Sequence, residues 1–162
     1  MPSNTGRNEY ICGMQATVEF MYHTNFSITD EERYTSWLIA CAHKHNASSV
    51  ELVFAFMDDA SLHALNLKHL KHDTLTDIIT FDDTVGTDVV ANIAISVDRI
   101  VDNSTTYSQS FQDELLRVMS HGLLHCLGFN DKTEEAQQEM RAAEDSCTKL
   151  FHVEHKTTNH VS

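Results

Sequence analysis

Basic residues are scarce in this chain: eleven lysines and arginines stand against 24 aspartates and glutamates, a formal net charge of −13 over 162 residues. That balance works against broad, nonspecific affinity for nucleic acid, which depends on Lys and Arg displacing phosphate counterions. It does not remove nucleic acid as a substrate. A metal and a local basic patch can hold phosphate in an acidic protein, and the eleven histidines add positive charge below about pH 6.5. Long apolar runs are lacking as well. Nothing approaches the roughly 20 residues of a membrane span, and no basic-then-apolar leader opens the chain, so a soluble, cytoplasmic protein without membrane association is expected. Cys12, Cys41, Cys126 and Cys147 stand singly, with no CxxC among them. This argues against a disulfide framework and a Cys-rich zinc knuckle, and for reduced, mostly buried thiols. With one proline and five glycines the chain has no low-complexity linker, and no internal repeat is visible. A length of 162 residues suits one domain, spanning 1–162, able to bury about two thirds of its unfolded surface.

What is present alternates between strand-like and helix-like periodicity. Residues 1–15 show little periodicity and read as a loose lead-in. Val18, Phe20 and Tyr22 alternate with polar or small neighbours, which predicts a strand over 16–22. Thr29 followed by Glu32 resembles a capping box ahead of a helix that carries Trp37, Leu38, Cys41 and His45. The β-branched and aromatic run 50–57 predicts a second strand, closed by Asp58 and Asp59, either of which can cap a helix through Leu62, Leu65 and His69. A polar loop over 71–77 leads to two short strands, 78–81 and 91–96, around a turn containing Gly86, and then to a short helix over 97–107. Two further helices follow, over 111–127 and 133–150. In the second, Ala136, Met140, Ala143, Cys147 and Leu150 form one apolar stripe. The pattern predicts an α+β fold, a single layer domain with a small mixed sheet packed against helices.

The densest chemistry lies between His121 and Asp131. Within a helix over 111–127, His121 and His125 differ by about 40° around the axis, so both rings lie on one face and can share a cation. Gly128 can supply the left-handed residue that ends the helix, and the chain can then fold back so that Asp131 approaches the same ion. Three protein ligands leave a fourth position for water, the arrangement of a catalytic rather than a structural zinc site. Two histidines four apart are, taken alone, more often ordinary surface or core residues than ligands. The surroundings tip the reading towards ligation: Leu115, Leu116, Val118, Met119, Leu123, Leu124 and Leu127 make this a largely buried helix, where an unpaired histidine is costly. The metal site would then sit on a central helix, in the manner of the zincins. Cys126 adjoins His125 but is turned about 100° from it, and is read as core. His152, His155 and His160 are loosely spaced near a chain end, where side chains are usually solvated; neither they nor His43 and His45 are assigned to a metal.

Residues 121–131, taken with Asn66, the run Asp73-Thr74-Leu75-Thr76-Asp77-Ile78-Ile79-Thr80-Phe81 and the strand Ile93-Ala94-Ile95-Ser96, closely resemble the YbeY family. That family comprises bacterial single-strand endoribonucleases acting in ribosomal RNA maturation, especially at the 3′ end of 16S rRNA. The similarity spans about residues 16–150. It implies an α+β fold with a metal-bearing helix, one zinc per chain or another divalent transition metal in its place, and a role in ribosome quality control. The implied partners are single-stranded RNA, the 16S rRNA precursor and the small ribosomal subunit. By position, His121 and His125 correspond to the first two zinc ligands. The third is usually histidine and is here Asp131, whose oxygen binds Zn²⁺ at nearly the distance of an imidazole nitrogen. Many relatives carry an arginine, thought to engage phosphate, where this chain has Leu70, so that role does not carry over. His69, Lys71 and His72 flank the position and are candidate substrate-binding residues, with a solvated loop as the plainer explanation.

An ion so held would lower the pKa of a water and polarise a phosphoryl oxygen, so that hydroxide or an activated ribose 2′-hydroxyl attacks the scissile phosphate. No separate proton acceptor stands out. Gly122 follows His121, where HExxH metalloproteases put their general-base glutamate, and this weighs against peptidase action. Glu114, about two turns before His121 on nearly the same face, is a candidate to orient a ligand or to act as an acid/base group; equally, an acid in the first turn favours the helix dipole. Two other readings stay open. A zinc-dependent peptidase or other hydrolase suits the negative surface, and a nonenzymatic ribosome-assembly factor would use the ion only to pin Asp131 and the last helix to the core. If RNA is the substrate, the acidity points to a protein partner that helps deliver it.

Overall fold

The computed structural model describes residues 7–11, 14–70 and 76–159. The elements run β1 (Arg7–Ile11), β2 (Met14–Tyr22), α1 (Glu31–Lys44), β3 (Ser49–Met57), α2 (Asp59–Leu65), a short π-helical turn (Asn66–Leu70), β4 (Ile78–Asp82), β5 (Asp88–Ser96), α3 (Val97–Thr106), α4 (Phe111–Cys126) and α5 (Glu134–Asn159). The strands form one mixed five-stranded sheet in the order β1-β2-β3-β5-β4. Its centre is parallel, β2 beside β3 and β3 beside β5, while β1 and β4 flank it in antiparallel pairings. The expected α+β architecture with a small mixed sheet is therefore present.

Alternation in the central strands builds the core. Val18, Leu52 and Ala91 lie in register across three strands, as do Phe20, Phe54 and Ile93, and all six are buried on one face. Trp37, Leu38 and Cys41 from α1, Leu116, Met119 and Leu123 from α4, and Met140, Cys147 and Phe151 from α5 pack in the same core. The opposite face carries a smaller cluster in which Leu62 of α2 meets Ile79 and Ala94. Helix α4 lies close on the sheet because Gly122 has no side chain: a Cβ there would stand 3.0 Å from Ile78 Cδ1 and 3.1 Å from Ile93 Cδ1.

Three expectations need correction. The supposed loose lead-in contains β1, paired antiparallel with β2; an edge strand is held by backbone hydrogen bonds and needs no alternating burial pattern to form. The cap of α1 is Asp30 rather than Thr29, its carboxylate accepting from Arg33 N at 3.3 Å, which fits the stronger capping preference of Asp. Helix α5 continues past Leu150 to Asn159, because the apolar stripe goes on: Phe151 is buried between Tyr34 and Trp37, with the Arg33 guanidinium 3.7 Å from its ring centre. By contrast the end of α4 is as the sequence predicts. Gly128 has φ of +105°, and Phe129 N returns to Leu124 O at 3.0 Å, the left-handed glycine closure that turns the chain back.

Candidate functional site

Helix α4 carries His121 on the side facing α5. The His121 side chain is 25% exposed, and its Nδ1 lies 2.7 Å from Oε2 of Glu144, a buried residue of α5. An ionised carboxylate can only accept, so Nδ1 is the donor of this hydrogen bond, and in the neutral ring Nε2 then has the lone pair. The hydrogen bond that His121 donates to Glu144 is the main cause of a raised His121 pKa, working against burial; the charges of Glu144 and then Asp131 add to it, against that of Arg117. One turn before His121, Arg117 donates to both oxygens of Glu114 at 3.0 and 2.7 Å and reaches Asp77 at 3.4 Å. Its Nη1 also stands 3.8 Å from Glu144 Oε1. The Glu114 hydrogen bonds, then the charges of Glu114, Glu144 and Asp77, raise the Arg117 pKa against burial. Glu114 itself is fully buried with its oxygens on Arg117. Glu114 does stand in the first turn of α4, where an acid favours the helix dipole, and its bonds anchor Arg117 rather than reaching His121 as a ligand-orienting or acid/base group would.

His121 and Asp131 border one cleft of about 310 Å³, whose walls also include Arg117, Arg141 and Glu144. Asp131 is exposed there, beyond the Gly128 turn, and its carbonyl accepts from Gln137 Nε2 at 3.1 Å. His125 does not line this cleft. It is exposed on the part of α4 near the end of β4, where its charge acts on Asp82. Burial raises the Asp82 pKa, but hydrogen bonds from Thr84 and Cys126 and the charge of His125 leave it lowered overall. The argument that both histidines are buried and costly unless liganded is thus corrected: His121 meets a carboxylate and His125 meets solvent. Among the described residues no three His, Cys, Asp or Glu side chains are gathered to hold one metal ion. The chemistry of His121 is compatible with a divalent ion, since its hydrogen bond to Glu144 engages Nδ1 and leaves Nε2 as the nitrogen that could coordinate one.

The remaining candidates are scattered. His69 is exposed, its ring edge-on to Phe81 at 5.8 Å, and Lys71 and His72 lie outside the described residues. His152 meets Asp113 at 3.1 Å, and His160 and the side chain of His155 are outside what is described. His45 packs edge-on to Phe129 at 5.3 Å, and burial, then the charge of Lys44, lowers its pKa. Cys126 is buried, as expected of a core thiol, and its pKa is pushed up to about 12, chiefly by burial and then by Asp82. Sequence reasoning missed Glu144 and Arg117. A signal existed for Glu144: it falls inside the Met140–Cys147 apolar stripe, where a lone carboxylate needs a partner.

Among the described residues no helix is long and apolar enough to cross a membrane. Residues 20–152 match the family model described as Endoribonuclease YbeY. A protein of Flavobacterium johnsoniae named Endoribonuclease YbeY is 42% identical over 137 residues, covering 85% of this chain and 99% of that protein. The protein of the same name from Christiangramia forsetii is 40% identical over 137 residues, covering 85% and 96%. The solution structure of a Thermotoga maritima protein superposes with a TM-score of 0.66 at 20% identity, covering 87% of this chain and 93% of the other, and so supports the fold. With the glycine-terminated histidine helix, the mixed sheet beneath it and these matches in agreement, the chain belongs to the YbeY family.

Proposed function

We propose that this chain is a metal-dependent endoribonuclease that cuts single-stranded RNA, with zinc held by His121, His125 and Asp131. Its role would be at the 3′ end of 16S rRNA and in ribosome quality control, on the small ribosomal subunit in the cytoplasm. The observation that carries the reading is the cleft bordered by His121, Asp131, Arg117 and Arg141, which the exposed His125, one turn beyond His121 on α4, would have to turn towards to complete the ligand set, in a chain whose relatives are named endoribonucleases. When bound, the ion would supply Lewis acidity and a water of lowered pKa. The protein's own part is positional. His121 offers Nε2 because Glu144 holds Nδ1, at 2.7 Å. Arg33 lies over Phe151, Arg99 pairs with Asp59, and Arg117 pairs with Glu114. Among the described side chains, Arg141, exposed in the cleft wall, is the guanidinium left to meet a phosphodiester. A protein partner that delivers the RNA would offset the repulsion of a chain carrying −13.

The peptidase alternative loses ground on one contact. A Cβ at the position after His121, Gly122, would stand 3.0 Å from Ile78 Cδ1, so a general base there would be driven into the apolar sheet. The test is incubation with single-stranded RNA and with casein, each with and without chelator. RNA cut only without chelator, casein intact, and cleavage lost in His125→Ala at an unchanged melting temperature is the expected result. Casein cut in place of RNA would support the peptidase, and an unfolded His125→Ala chain would support a structural ion.

A further inference from the structure

We propose that Glu144 is a positioning residue: its buried carboxylate fixes His121 as the Nδ1–H tautomer and aims Nε2 into the cleft. The inference rests on the reading of His121 as a ligand, and deepens it. Glu144 is 5% exposed and lies 2.7 Å from His121 Nδ1, yet it comes from α5, 23 residues further along the chain. Its neighbours Met140, Ala143 and Cys147 are buried in the core, so the carboxylate has little freedom to swing towards solvent. Each oxygen has its own partner. Oε2 takes His121, while Oε1 faces Arg117 Nη1 at 3.8 Å. Arg117 in turn is gripped by Glu114 through two hydrogen bonds and by Asp77 through a third. Rotating Glu144 would break its contacts to both α4 residues at once.

A neutral imidazole carries one hydrogen, and a free histidine side chain prefers it on Nε2. In that tautomer the cleft-facing nitrogen donates and cannot bind a cation. Glu144 reverses the preference by accepting from Nδ1, and it sets the ring plane as well. Loss of such a partner costs about ten- to a hundredfold in metal affinity.

The experiment follows His121 by ¹⁵N NMR in the metal-free chain, at a pH where its ¹⁵N shifts no longer change with pH and the ring is therefore neutral, alongside zinc affinity by competition with a chromophoric chelator. Wild type, Glu144→Gln and Glu144→Ala are compared, with the amide spectrum reporting the fold. Wild type should show Nδ1–H. The glutamine variant retains a carbonyl oxygen that can accept, so it should keep the tautomer and stay within several-fold of wild-type zinc affinity. The alanine variant should shift the hydrogen towards Nε2 and weaken zinc binding about ten- to a hundredfold. A folded Glu144→Ala chain with the wild-type tautomer and zinc affinity would overturn the proposal. So would a Glu144→Gln chain as weak as Glu144→Ala, since charge rather than position would then be what the residue supplies. Should the alanine variant fail to fold, the glutamine variant and the wild-type tautomer decide. A wild type that binds no zinc defeats the metal reading, whereas wild-type His121 with its hydrogen on Nε2 defeats this one.

Discussion

His45 and His121 are both partly buried, yet their pKa values move in opposite directions because their neighbours differ. Glu144 stabilises a hydrogen on His121, whereas burial and then Lys44 hold His45 below the ordinary histidine value. The buried Nε2 of His45 has no hydrogen-bond partner among the described residues. In the unfolded chain His45 titrates near about 6.5. Below that pH the unfolded state takes up a proton that the folded state resists, so His45 lowers stability on acidification and adds no pH dependence above it. Urea unfolding at about pH 7.5 and about pH 5.5 should therefore show a smaller acid loss for His45→Leu than for wild type. Equal losses would show that this ring does not stay neutral in the fold. At the same scale, the features of the site that lay in the sequence were those set by local spacing. His121, His125, Gly128 and Asp131 sit within one helix end and its turn, and Gly128 does close the helix at a positive φ. Glu144 lies 23 residues from His121, a separation with no period, so the apolar stripe around it signals a buried carboxylate without naming its partner; Arg117 pairs locally with Glu114 but meets Asp77 and Glu144 only through the tertiary fold.

At the scale of elements, α4 against the sheet sets the site, and Gly122 sets how closely α4 approaches. Valine at that position is comparable to glycine in helix propensity, the two lying within a few tenths of a kcal/mol, so a Gly122→Val change reports packing almost alone. Its Cβ would begin 3.0 Å from Ile78 and 3.1 Å from Ile93, and overpacking of this kind costs about 1–3 kcal/mol. We expect a loss in that range by urea unfolding; an unchanged midpoint would show that α4 can lift from the sheet without cost. The elements that the sequence announces are those with a periodic or continuous apolar run. Strands β2 and β3 bury alternate residues, β5 alternates up to Ile93 and is buried on both faces from there to Ser96, and α4 buries a continuous stripe. Strand β1 is held at the edge by pairing to β2, and its sequence Arg-Asn-Glu-Tyr-Ile carries no such alternation. The extra length of α5 is visible in hindsight through Phe151, buried one residue past the predicted end.

For the molecule as a whole, a net charge of −13 makes an RNA substrate an electrostatic problem that must be solved locally. The cleft holds two guanidiniums, but Glu144 and Asp131 share its walls, so two arginines against two carboxylates leave no net attraction for phosphate. A divalent ion would change that sign, and with it the field that a phosphodiester meets. Metal binding and RNA binding are for this reason one claim. Metal content of untagged protein, compared between wild type and Asp131→Ala, tests it most directly: near-stoichiometric zinc in wild type that is lost in the variant is the predicted result, and a wild type without bound metal, or a variant that keeps its full complement, would contradict the account.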